Sequence, residues 1–160
     1  MNTSRADISS SGDDRGVAVF LYGLFMDVDA LRARGFTPRV EGRAVVRGRA
    51  LRLGRRATLV PAVDGDVPGV LMRFAPAELD ALYAEEGVRD YRPEPVLAAC
   101  EDGTRVSALC YTLPDPPPPD ACDSAYAERL RALAARLGLP TGHVDRALDG
   151  GPDDVGADRA

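Results

Sequence analysis

Two adjacent carboxylates, Glu85 and Glu86, close the helical pattern "PAELDALYAEEG" just before Gly87. A helix C-terminus carries partial negative charge and disfavours acids there. With burial added, either residue becomes a better proton acceptor, which is what a general base must be. A second stretch with chemical potential is "VAVFLYGLFMD", residues 17–27, an apolar run that breaks at Tyr22-Gly23. Turns there usually carry small polar residues that satisfy loose backbone groups. Leu24 and Phe25 cannot do that with their side chains. Either the turn is buried, or its backbone N–H groups are reserved for something else.

Other chemistries lack their parts. There is no GxSxG elbow, GxGxxG or Walker lysine, and the single histidine, His143, lies beyond a proline spacer. A serine or cysteine triad therefore has no base in the sheet region. No carboxylate cluster at ligand spacing accompanies His143, so no metal site is expected. Cys100, Cys110 and Cys122 form no CxxC pair and are odd in number, which argues against a disulfide framework or a zinc site. With Asp102-Gly103 as a two-residue turn, Cys100 lies opposite Arg105 and Cys110 falls on the other sheet face. Both read as small hydrophobes.

The 160 residues are 45% hydrophobic, enough for one domain with a real core. The net charge of −5 argues against general nucleic-acid binding. All 20 basic residues are arginine, and many of them fall between Arg32 and Arg56. No aromatic residues interleave with them, so they read as a solvated strand face rather than a stacking platform. The chain has no long apolar span, and "MNTSRADISSSGDDRG" has no apolar signal-like stretch. A cytoplasmic protein without membrane partners is the expectation; oligomeric state is not readable.

The elements that must position these residues read mostly as strands. Residues 17–22 suit a central strand, apolar on both faces. Asp27 or Asp29 caps a short helix that ends before Gly35. "RAVVRGRALRL" alternates as one or two strands, and "ATLVPAV" and "VPGVLMRF" flank a hairpin signal at Asp64-Gly65. Pro76 opens a second helix with Leu79, Leu82 and Tyr83 as its stripe and Gly87 as its stop. "EPVLAAC" and "TRVSALCYTL" form another hairpin, "PDPPPPD" is a stiff spacer, and Leu130, Leu133 and Leu137 stripe a C-terminal helix. A last short helix starts near Thr141. Residues 1–15 and 150–160 are expected to be disordered. Strands do not alternate regularly with helices, which predicts an α+β domain with a small curved or closed sheet rather than a doubly wound one.

"FLYGLF" followed by "LDALYAEEGVRDYRPEPV" and "CYTL" resembles the γ-glutamylcyclotransferase-like (AIG2-like) family over residues 17 to about 113. The resemblance implies a small mixed β-barrel of five to seven strands with flanking helices. It divides the chain into a tail (1–15), the barrel domain (16–113), a Pro-rich linker (114–120), a helical extension (121–149) and a second tail (150–160). Family enzymes let the α-amine of a γ-glutamyl amine or amino acid attack its own δ-carbonyl, releasing 5-oxoproline and a free amine. That closure is intramolecular and needs no metal or cofactor. By position, Glu86 before Gly87 would be the base, with Tyr22, Gly23, Leu24, Phe25, Tyr91 and Tyr111 binding substrate. The loop N–H groups would face its oxygens. Two features depart from the family pattern. Leu24 replaces a small polar residue, and "LYAEEG" is longer than the usual Leu-Asp-x-x-Glu-Gly spacing, leaving Glu85 as a rival base. The alternative is a catalytically silent relative that uses the same cavity as a binding module.

Overall fold

The computed structural model describes residues 16–118 and 123–148. Five strands close into a barrel in the order β1-β3-β2-β4-β5. These are β1 (Val17–Leu21), β2 (Arg39–Leu53), β3 (Ala57–Phe74), β4 (Arg92–Cys100) and β5 (Arg105–Thr112). All neighbours pair antiparallel except β1 and β5, which close the ring in parallel at Val19 and Leu109. β1 lies between two partners with Val19 and Phe20 fully buried, as its unbroken apolar run requires. The expected mixed barrel with flanking helices is what forms.

Four helices surround it: α1 (Val28–Ala33), α2 (Pro76–Leu82), α3 (Ser124–Arg136) and α4 (Gly142–Leu148). Asp27 caps α1, accepting a hydrogen bond from the Ala30 N–H at 3.2 Å. Asp123 caps α3 through the N–H groups of Ala125 and Tyr126. Leu130, Leu133 and Ala134 of α3 and Val144 and Ala147 of α4 are buried in the same core as Phe20, Leu71 and Met72 of the barrel. The C-terminal helical segment thus packs into the barrel's own core. None of the helices among the described residues is long and apolar enough to cross a membrane.

Three local expectations are corrected. Asp64-Gly65 is not a hairpin turn: β3 runs unbroken through it, and β2 pairs with β3 on both sides of it. The chain reverses instead at 54–56, where the Gly54 N–H donates to the Arg56 carbonyl at 3.0 Å. Residues 62–65 form a bulge between the pairs Arg49/Pro61 and Arg47/Asp66. Glycine is needed at 65 because a Cβ there would lie 2.1 Å from the Arg49 carbonyl oxygen.

The turn between β4 and β5 is one residue longer than expected, with Ala99 opposite Arg105. Gly103 supplies the left-handed residue of this three-residue loop at φ 91°. A one-residue slip reverses the face of every side chain on one strand relative to the other. Cys100 and Cys110 therefore share a face, and what keeps them apart is distance along the sheet, since Cys110 pairs with Glu94. Both are free thiols. Third, α2 stops at Leu82 rather than running on to Gly87, and Tyr83 caps it. Cys122, both expected tails and part of the spacer fall outside the described residues.

Candidate functional site

The end of β1, the turn after it and the cap of α2 meet at one end of the barrel. Leu24–Met26 forms a single 3-10 turn, with Leu24 and Phe25 partly buried against the core. That resolves the oddity of "YGLF": its apolar side chains are packed. Tyr22 is only 5% exposed, and its hydroxyl donates to the Tyr111 carbonyl at 2.6 Å, tying β1 to β5. Tyr83 leaves the end of α2 and stacks on Tyr111, with ring centroids 3.8 Å apart and planes 7° from parallel. Phe25 meets Tyr83 edge-on at 5.8 Å, and Tyr91 lies tilted against it at 6.2 Å. Helix α2 ends where it does because this ring is drawn into the cluster.

These rings enclose a cavity of about 190 Å³. All five tyrosines of the chain line it: Tyr22, Tyr83, Tyr91, Tyr111 and Tyr126. Gly23, Leu24 and Phe25 also line it, as does Arg56, which borders the adjoining groove as well. Tyr126 reaches in from α3. A Cβ at Gly23 would lie 3.2 Å from the Tyr126 hydroxyl, so that hydroxyl sits against the loop.

Among the described residues, no carboxylate lines the cavity. Burial raises the pKa of every one of the five phenols, with Tyr22 and Tyr83 moved well above their ordinary value. At neutral pH they are uncharged: able to donate and accept hydrogen bonds, unable to act as a strong base. Among the described residues, the hydroxyls of Tyr83 and Tyr111 have no hydrogen-bond partner, whereas that of Tyr91 donates to the Ala57 carbonyl.

Of the residues singled out from the sequence, Tyr22, Gly23, Leu24, Phe25, Tyr91 and Tyr111 come together around this cavity, and Glu86 does not. Glu86 is exposed and lines an adjoining open groove with Arg55, Arg56, Asp90 and Asp115. The burial expected for it is absent because the helix that should carry it ends three residues short of Glu85. Glu85 is turned the other way and pairs with Arg34, whose guanidinium also sits over Phe25 and Phe36. The expectation missed three members of the site. Tyr83 read as a core stripe residue, Tyr126 lies on a helix assigned to an extension, and Arg56 was counted with the solvated arginines.

Most of that arginine stretch is indeed a paired surface. Arg39 with Glu41, Arg43 with Glu101 and Arg49 with Glu94 form ion pairs at 2.7 to 3.3 Å. Arg56 differs. Its guanidinium lies 5.6 Å over the Tyr91 ring, donates to the Gly87 carbonyl at 3.1 Å and meets exposed Asp90 only at 3.5 Å. Among the described residues no cluster of three or more His, Cys, Asp or Glu could hold a metal ion.

The likeness to known proteins covers both the barrel and the start of α3. A solved structure of a gamma-glutamyl cyclotransferase superposes with a TM-score of 0.66 at 19% identity, over 82% of this chain and 85% of that one. YkqA from Bacillus subtilis gives 0.69 at 25% identity, over 93% of this chain but 59% of its own length. A yeast gamma-glutamyl cyclotransferase specific to glutathione gives 0.61 at 14% identity, over 85% and 95%. A comparison with curated protein sequences gives no match. Residues 19–129 match the family described as "Gamma-glutamyl cyclotransferase, AIG2-like". That match spans well over half of the sequence, so the chain belongs to the gamma-glutamyl cyclotransferase, AIG2-like family.

Proposed function

We propose that this family member holds a small molecule in the tyrosine-lined cavity and lacks the general base to cyclise it there. The observation that carries this reading is the composition of the wall among the described residues: five neutral phenols, one phenylalanine, one arginine and five glycine or aliphatic residues, with no carboxylate. Closing a γ-glutamyl amide to 5-oxoproline requires the attacking ammonium to lose a proton to a group within hydrogen-bond reach. Counted along the Leu-Asp-x-x-Glu-Gly spacing from Leu79-Asp80, the glutamate position is Tyr83. Its buried phenol stacks on Tyr111 where a carboxylate would be needed.

A second reading keeps the γ-glutamyl chemistry and is favoured by Arg56, which borders both the cavity and the groove that holds Glu86. A γ-glutamyl amine or amino acid lying across Arg56 could bring its amine toward Glu86. In either reading the ligand is small and the setting cytoplasmic, which suits the free thiols Cys100 and Cys110.

The two readings part on one experiment. Purified protein is incubated with a panel of γ-glutamyl amines and γ-glutamyl amino acids, and 5-oxoproline is quantified beside Glu86→Gln. The binding reading expects no release above the protein-free control from either protein. Release by the native chain that Glu86→Gln lowers roughly a hundredfold would establish the cyclotransferase instead.

A further inference from the structure

Half of the residues lining the cavity are aromatic, and Arg56 among them carries positive charge. Tyr83, Tyr111 and Phe25 present ring faces and edges around a space of about 190 Å³. That is smaller than the roughly 300 Å³ or more of pockets for drug-sized ligands, so the occupant is about one ring with a short tail. Arg56 is held in place by the Gly87 carbonyl and the Tyr91 ring, yet its ionic partner Asp90 is long at 3.5 Å and 69% exposed. It can exchange that partner for a ligand anion at little cost. Exposed Arg55 stands beside it with no partner among the described residues. An aromatic cage often suits a quaternary ammonium, but here a cation would meet Arg56 as well. A free γ-glutamyl head group fares poorly too, because no acid among the described lining residues balances its ammonium.

We infer that the cavity takes a small aromatic monocarboxylate, its ring against Tyr83 and Phe25 and its carboxylate on the Arg56 fork. This deepens the binding reading above and rests on it. The free hydroxyls of Tyr83 and Tyr111 add hydrogen-bond handles that a purely apolar ligand would leave unused. Ring–ring contact supplies binding beyond area alone, and the guanidinium–carboxylate pair sets orientation.

The chain reports on this site by itself. It contains no tryptophan, and all of its tyrosines line the cavity, so intrinsic tyrosine fluorescence reads the cavity and nothing else. Titration with phenylacetate should give a saturable change that weakens with added salt, with a matching rise in melting temperature. Benzylamine keeps the ring and reverses the charge, and cyclohexanecarboxylate keeps the charge and removes the aromaticity; both should bind at least tenfold more weakly. Arg56→Met should weaken phenylacetate at least tenfold, and Arg55→Met less than threefold. Should Arg56→Met fold poorly, Arg56→Lys keeps the charge, loses the fork and should weaken binding severalfold. Benzylamine binding as tightly as phenylacetate, indifference to Arg56 substitution, or no saturation with any aromatic acid would each overturn the inference. Release of 5-oxoproline from γ-glutamyl compounds is read separately and would overturn the binding reading itself.

Discussion

Replacing His143 with leucine should stabilise the protein, and increasingly so as the pH falls. His143 is 4% exposed on α4, and neither ring nitrogen has a hydrogen-bond partner among the described residues. Burial, with Arg146 nearby, lowers its pKa from 6.5 to about 4, while Asp145, paired with Arg131, opposes the shift weakly. Between those values the unfolded chain binds a proton that the folded chain refuses. Stability therefore rises with pH across that window, and is lost as pH drops from about 6.5 toward 4. At about 1.36 kcal/mol per pH unit, the contribution lost between pH 7 and pH 4 comes to about 3 kcal/mol. Leucine has no proton to bind and no unsatisfied nitrogen, so at pH 7 the variant should already gain about 1 kcal/mol or more. Urea denaturation at pH 7, 6, 5 and 4 reads the difference. The gap between the two midpoints should widen by on the order of 1 to 3 M as pH falls. Carboxylate titrations act on both proteins alike and cancel in the comparison. Parallel curves for the two proteins from pH 7 to pH 4 would show that folding does not suppress protonation of His143, and a leucine variant less stable at pH 7 would show that the imidazole is not a burden there.

Three further outcomes follow from the packing. Tyr22→Phe removes the donor to the Tyr111 carbonyl and should cost about 1 to 2 kcal/mol, or roughly 3 to 6 °C in melting temperature; a shift below about 1 °C would show that bond to be idle. Gly69→Ala places a Cβ 2.3 Å from the Leu21 carbonyl oxygen where β1 meets β3, and should cost about 3 kcal/mol in urea denaturation, whereas a near-neutral result would mean the strands part easily. Burial pushes the Cys110 thiol up to about 12, and the side chain is fully enclosed, so maleimide at pH 8 should label Cys110 only after unfolding; rapid native labelling mapped to that residue would contradict the packing described.

How much of this was legible depended on whether a signal was local. The buried strand β1, the Asp27 cap, Pro76 at the start of α2 and the antiparallel pairing of β4 with β5 are written in adjacent residues, and they form, with only the β4–β5 register shifted by one. Asp64-Gly65 misled because its dipeptide favours a hairpin in isolation. The longer β2–β3 ladder outweighed it, leaving the reversal to 54–56 and turning Gly65 to a close backbone approach. Gly87 misled in the same way. The stop of α2 was decided by where the Tyr83 ring could stack, a contact with Tyr111 that no local pattern reveals. Within the site, the loop residues and Tyr91 stood out by their neighbours. Tyr126 did not, because its helix is separated from the barrel by a proline spacer and its hydroxyl meets Gly23 only in the folded chain.

Ligand-observed proton NMR tests in one tube whether the cavity binds without converting. Tyrosine ring protons are saturated while the protein stands with phenylacetate and a γ-glutamyl amine together, and the small-molecule spectrum is followed for hours. A cavity that only binds gives saturation transfer to the phenylacetate ring, lost in Arg56→Met, with the γ-glutamyl amine left intact. Growth of 5-oxoproline resonances, abolished by Glu86→Gln, would contradict the binding reading.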